Sequence, residues 1–199
     1  MVARAPIACS DRALSQDEAI GYILRMSEIK YPIGRFIFDR ESTPEKRSAW
    51  IRDIAELPAR VRRATDGLSP AQQDTPYREA GWTVRQVVHH IADSHMNAFA
   101  RFKLALTENN PQIMPYNQDA WAATADVLGA DVSLSLSLID GLHGRWAALL
   151  SALAPAEFTR TFLHPERGLM TLDHTLQMYA WHGRHHVAQI AELRTGKGW

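Results

Sequence analysis

The sequence predicts an all-α fold: a bundle of four long helices joined by medium and long connections. Two observations carry this expectation. Four long stretches repeat apolar residues three and four positions apart, the period of one helix face. A chain of 199 residues with 46% hydrophobic content can bury one sizeable core but is too short for two substantial domains. The chain holds no internal repeat and no low-complexity tract.

Taken in order, residues 17 to 26 are expected as a short helix capped by Ser15. "YPIGRF" reads as extended because Tyr31 precedes a proline. The first long helix starts at Thr43, a capping residue, with Pro44 at the first helical position and an apolar face of Trp50, Ile54, Leu57 and Val61. Pro58 inside it should bend or divide it. A polar connection with one helical turn after Ser69 leads to Gly81. The second long helix opens at Thr83, runs to about Glu108, and lines one side with Val84, Val87, Val88, Ile91, Ala98, Phe99, Phe102 and Leu106. "NNPQIMPYNQDAWAATADVLGA" is expected as an ordered loop with some helix, a kind of segment that often carries function.

Asp131 or Ser133 can cap the third long helix, where Ile139, Leu142, Trp146, Leu149 and Leu153 recur at helical spacing. Its start, "SLSLSL", alternates as a strand would, but the helical period that follows for several turns outweighs that signal. "LHPERGLM" is expected as a short hairpin in the next loop. The last helix runs from about Leu172 to Arg194 and stops at Gly196.

Composition excludes several function classes. Lys plus Arg (22) equals Asp plus Glu (22), with no long run of one sign, so no electrostatic footprint for nucleic acid or an acidic membrane is present. The single cysteine, Cys9, leaves any metal site to histidine and carboxylate. No apolar run approaches a membrane span and the N-terminus is a poor secretory signal, so a cytoplasmic location is the expectation. There is no Gly-rich phosphate loop and no G-x-S-x-G elbow.

The chemistry concentrates in "YAWHGRHHVAQIAEL". Tyr179, His182, His186, Ile190 and Leu193 share one narrow stripe of a helix, so two imidazoles face the core, while His185 falls toward an edge or solvent. Buried imidazoles must be hydrogen-bonded or hold a metal. The pair at i, i+4 can share one ion, although the glutamate of an HExxH motif is replaced by Gly183. Nine histidines produce some such pairs by chance, so the core position of this pair and a second histidine-bearing helix carry the argument. That helix offers His95 near the middle of its apolar face, His90 on the flank and His89 on the far side; geometry leaves His90 and His95 both open as a third ligand. Asp93 could orient a ligand but reads better as solvated, and Gln189 and Glu192 are treated alike. His143, His164 and His174 read as surface or loop residues. Trp82, Trp121, Trp146 and Trp181 read as packing residues.

Together "YPIG", "DTPYREAGWTVRQVVHHIADSHMNAFARFKLALTE", "PYNQDAW", "LHGRWAALL" and "YAWHGRHHVAQIAEL" resemble the YfiT branch of the DinB-like superfamily over residues 31 to 199. The resemblance implies a four-helix bundle of up-down-down-up order and a divalent ion, zinc or nickel, held by three histidines. Matched motif by motif, those ligands are His90, His182 and His186. Residues 1 to 28 are then an extension, and 29 to 199 the domain.

The branch contains metal-dependent hydrolases and bacillithiol S-transferases. The expectation drawn from this is a transferase that conjugates a low-molecular-weight, bacillithiol-like thiol to a small electrophile, working as a possible homodimer through "SLSLSLIDGL". The alternatives are a metal-dependent hydrolase that activates water, and a non-catalytic stress-response module in which the metal is structural. A solvent-connected pocket beside the three histidines separates the enzyme readings from the last one.

Overall fold

The computed structural model describes residues 30–199, so the expected helix at residues 17 to 26 lies outside the described residues. Four long helices dominate: α1 (Pro44–Thr65), α3 (Val84–Thr107), α6 (Val132–Ala152) and α7 (Leu172–Lys197). Shorter ones are α2 (Pro70–Gln73), α4 (Gln118–Trp121) and α5 (Ala125–Gly129), with a 3-10 turn at Pro155–Thr159. Strands β1 (Thr161–His164) and β2 (Gly168–Thr171) form an antiparallel hairpin. The caps are those the sequence offers. Thr43, Thr83, Asp131 and Thr171 each accept from a backbone N–H of the first turn, and Thr83 forms a reciprocal box with Gln86.

Contacts across the bundle fix the direction of each helix. Arg47 meets Asp173, Asp53 meets Arg184, and Arg194 donates to the Ala64 carbonyl, so α1 and α7 run parallel. Arg62 pairs with Asp140 while Ile54 accepts from His143, so α6 runs antiparallel to α1. His89 reaches Ser135 and Phe102 packs on Trp146, so α3 and α6 are parallel. His90 faces His186 and Ser94 faces Tyr179, which makes α3 antiparallel to α7. The order is up, down, down, up. Consecutive helices α1 and α3 are not the main packing partners; each lies between α6 and α7.

Pro58 neither divides nor ends α1, which is continuous from Pro44 to Thr65. A proline cannot donate to the carbonyl four residues back, which is that of the fully buried Ile54. His143 Nδ1 on α6 donates to that oxygen at 2.7 Å. The expectation of a surface His143 is therefore wrong: it is 0% exposed, because the proline leaves a buried acceptor that needs a donor.

"SLSLSL" is helical, and its alternation has a plain cause. Leu136 turns inward while Leu134 and Leu138, one turn apart, are exposed. "YPIGRF" does not run straight: Gly34 N–H donates to Tyr31 O at 2.8 Å, closing a turn over Pro32 and Ile33. The segment is then pinned across α7. Gln177 exchanges hydrogen bonds with the backbone of Asp39, and Trp181 Nε1 donates to Gly34 O. α7 continues past Gly196 to Lys197 and stops at Gly198, whose φ of 68° suits glycine.

The hairpin is longer than "LHPERGLM", pairing Thr161 with Thr171 at its open end. It is tied to the long loop by Ile113 N–H to Leu163 O and Leu163 N–H to Pro111 O. Arg160 donates to the carbonyls of Ala105 and Glu108 at the end of α3. Hairpin and loop together roof the groove between α3 and α7.

Candidate metal centre

That groove contains the histidines. His90 projects from α3, and His182 and His186 from facing turns of α7. His90 Nε2 and His186 Nε2 each lie 3.2 Å from His182 Nε2. The ligand atoms all fall within 4.8 Å of one another. Three nitrogens at about 2.0–2.1 Å from a tetrahedral ion stand about 3.3 Å apart, so this spacing fits one.

The far sides of the rings show why their lone pairs converge. His186 Nδ1 donates to Gln189 Oε1 at 2.8 Å, leaving its Nε2 bare. The same amide has its orientation set by its NH2 group, which donates to Lys30 O at 3.1 Å and to His185 Nε2 at 3.0 Å. Behind His182, Nδ1 stands 3.1 Å from His95 Nε2. With His182 donating there, its own Nε2 is bare as well. Two bare nitrogens 3.2 Å apart repel, and a cation between them removes the conflict.

Burial also holds these rings neutral, the form that ligates a metal. It pushes His90 down to about 4. His182 and His186 are pushed well below the ordinary imidazole value, first by burial and then by mutual repulsion with neighbouring imidazoles.

The choice between His90 and His95 resolves into two places. His90 is brought to the cluster; His95 lies behind it, fully buried, touching His182 from the other side. His95 also stacks on His143 at 4.9 Å between ring centroids. His95 Nδ1 and His143 Nε2 are both without a hydrogen-bond partner. Once His182 donates to His95, the former is a donor and the latter an acceptor. A line of imidazoles thus runs from the cluster through His182 and His95 to His143, anchored on the carbonyl that Pro58 leaves free.

Several expectations need correction. His185 does not point to solvent: it is buried, stacked on Trp181 and held by Gln189, because residues 30 to 34 fold over that edge of α7. His89 is buried on the opposite flank against Ser135, since α6 covers that side of α3. His164 is buried at the end of β1. His174 is half-buried under Phe38. Gln189 has a definite orienting role, whereas Asp93 is half-buried and touches none of the three ligands among the described contacts. Trp146 is a core residue as expected, but Trp121 stays exposed. Gly183 stands where HExxH has its glutamate, and a Cβ there would come within 2.7 Å of Leu57 Cδ2, so a side chain at this position would force Leu57 to shift.

The cluster is open to solvent. A cavity of about 540 Å³ is lined by His90, His182 and His186 with Tyr31 and Trp82. A second, of about 360 Å³, lies under the hairpin and shares His182 and Gln118 with the first. The centre has the open side expected of a catalytic rather than a closed structural ion.

Gln189→Leu should lower metal affinity about 10–100-fold, the usual effect of losing a partner that orients a ligand. Competition with a coloured chelator measures it. An unchanged affinity would show that the amide does not set the His186 tautomer.

The DinB superfamily model matches residues 53–190. A Bacillus subtilis (strain 168) relative named "Putative metal-dependent hydrolase YfiT" is 47% identical over 172 residues, covering 86% of this chain and 97% of its own. Similarly named relatives from Bacillus mycoides (strain KBAB4) and Oceanobacillus iheyensis are each 49% identical, covering 87% and 85% of this chain and 100% and 98% of theirs. The solved structure of the Bacillus subtilis protein, described as a probable metal-dependent hydrolase with an unusual four-helix bundle topology, superposes with a TM-score of 0.84 over 86% of this chain and 99% of that one. Sequence and bundle order agree, and the chain belongs to the DinB superfamily.

Proposed function

We propose that His90, His182 and His186 hold a divalent ion, zinc or nickel, and that the protein is a metal-dependent transferase joining a low-molecular-weight thiol to a small electrophile. The observation that carries this reading is the pair of cavities meeting at His182. Two substrates can approach one centre from two sides. Bound there, the ion supplies acidification: a thiol it coordinates reacts as the thiolate. The rest falls to the chain. His95 and Gln189 keep the ligand imidazoles in one tautomer, and Gln118, on the wall between the cavities, borders both substrates. The thiol proton leaves to solvent; sulfur forms a bond to the electrophilic carbon, and the leaving group departs with its electron pair.

A second reading, metal-dependent hydrolysis, is favoured by the relatives' names. It asks for a proton donor to the leaving group, and the three-ligand cluster contains no carboxylate. Metal-loaded protein assayed with a thiol and 1-chloro-2,4-dinitrobenzene, and separately with p-nitrophenyl esters, distinguishes them. Thiol-dependent conjugation that is lost on chelation is the expected result; chelator-sensitive ester cleavage without conjugation would overturn it in favour of the hydrolase.

A further inference from the structure

The smaller cavity carries chemistry that the metal centre does not use. The face of α3 that presents His90 continues through Ser94 and Ala98 to Arg101 at helical spacing. Opposite it, α7 presents His182, Tyr179 and Thr175. The cavity between them has His182 at one end and Arg101 toward the other, with His164 and Arg167 of the hairpin on its roof.

Arg101 is only 8% exposed. Its one hydrogen bond runs from Nη2 to Met114 O at 3.4 Å. Among the described residues no aspartate or glutamate pairs with it. A guanidinium has five N–H donors, and burying it nearly unserved is costly. By contrast, the half-buried Arg47 is matched by Asp173, and Arg60 by Asp53. Glu166 is the one carboxylate on the cavity lining; it sits on the exposed hairpin turn and makes no pair with Arg101. Burial lowers the His164 pKa, and Arg101 and Arg167 act in the same direction against an opposing effect of Glu166.

We propose that this cavity binds the oxyanion end, a carboxylate or phosphate, of an elongated substrate whose reactive atom lies at the His182 end. Arg101 binds the anion, by the planar fork that suits such groups. Arg101 lies eleven positions along α3 from His90, about 16 Å between Cα atoms, and the arginine side chain leans back toward the helix N-terminus. The substrate therefore spans several bonds between its anion and its reacting atom. This inference rests on reading the histidine cluster as a catalytic metal centre, but the anion site itself can be tested apart from that reading.

The test is calorimetric titration of succinate, and separately of inorganic phosphate, into the full chain with metal removed, for wild type, Arg101→Gln and Arg101→Lys. One of the two anions is expected to bind wild type. Arg101→Gln should weaken it at least tenfold, and Arg101→Lys less. Succinate alone binding assigns a carboxylate, phosphate alone a phosphate. Failure of both with wild type, or equal binding by wild type and Arg101→Gln, overturns the proposal. Should Arg101→Gln not fold, Arg101→Lys decides: it must bind several-fold more weakly than wild type, and equal affinity overturns the proposal. Metal-free wild type that binds the anion through Arg101 shows the anion site standing even where the metal reading fails.

Discussion

His182→Ala is expected to abolish metal loading. Wild-type protein should carry about one divalent ion per chain, the load of a single three-ligand site. The variant should carry almost none, with affinity down by more than the roughly 100-fold upper range for losing an outer partner. His182 is singled out because its Nε2 is the atom closest to both other ligands, 3.2 Å from each, while its Nδ1 connects to His95. Its side chain is partly open to the cavities, so truncation should spare the fold. Elemental mass spectrometry reads the outcome, with His90→Ala as companion. If metal persists in His90→Ala and is lost in His95→Ala, the third ligand is His95. Full loading in His182→Ala would remove the metal centre altogether.

Metal-free protein is expected to lose stability steeply as pH falls from about 6.5 to 4. Burial depresses both His90 and His143 from the ordinary 6.5 to about 4, with the hydrogen bond to Ile54 O opposing part of this at His143. Between those values the unfolded chain binds protons that the folded chain refuses, so the stability is complete above 6.5 and declines as pH drops. Each group contributes about 1.4 kcal/mol per pH unit. At pH 5 the two together remove about 4 kcal/mol, a large share of the roughly 5–15 kcal/mol of a typical domain. His95, His182 and His186, all pushed well below 6.5 by burial, steepen the decline. Urea unfolding between pH 7 and 5 measures this, and metal loading should move the decline to lower pH because the ion competes with protons. A His143→Gln variant should show a shallower slope by about 1.4 kcal/mol per pH unit. A flat profile in metal-free wild type would mean that these imidazoles are not held neutral by burial.

Much of the bundle was legible because helices announce themselves locally. Thr43, Thr83 and Asp131 cap where an unpaired N–H needs an acceptor, and Trp146 and Ile139 recur at the period that buries one face. The hairpin was legible in part, as the stretch "LHPERGLM", but not its extension to Thr161 and Thr171. Two sequence-local readings fell short for a shared reason. Pro58 signals a bend or a division, yet the helix is continuous and a donor from another helix satisfies the carbonyl the proline frees. Helical geometry puts His185 toward an edge or solvent; it lies at an edge, where a distant turn at residues 31 to 34 covers it. A sequence signal for the first existed: a proline four residues after a core isoleucine leaves a buried acceptor, and a polar residue in the apolar stripe of a later helix is a natural donor. No such signal pointed to Arg101, which resembles any helical arginine until its surroundings are seen.

The sequence by itself determined the class of the fold, the starts of most long helices and the pair His182 and His186, because a 3.6-residue period places those side chains on one stripe whatever the rest of the chain does. The tertiary structure decided which histidine of α3 joins them and what the other one does. It also decided that Gln189 and Lys30 set the tautomer of His186, and that two cavities share His182. Those outcomes depend on the rotation and separation of helices packed against each other, and local periodicity carries no information about either.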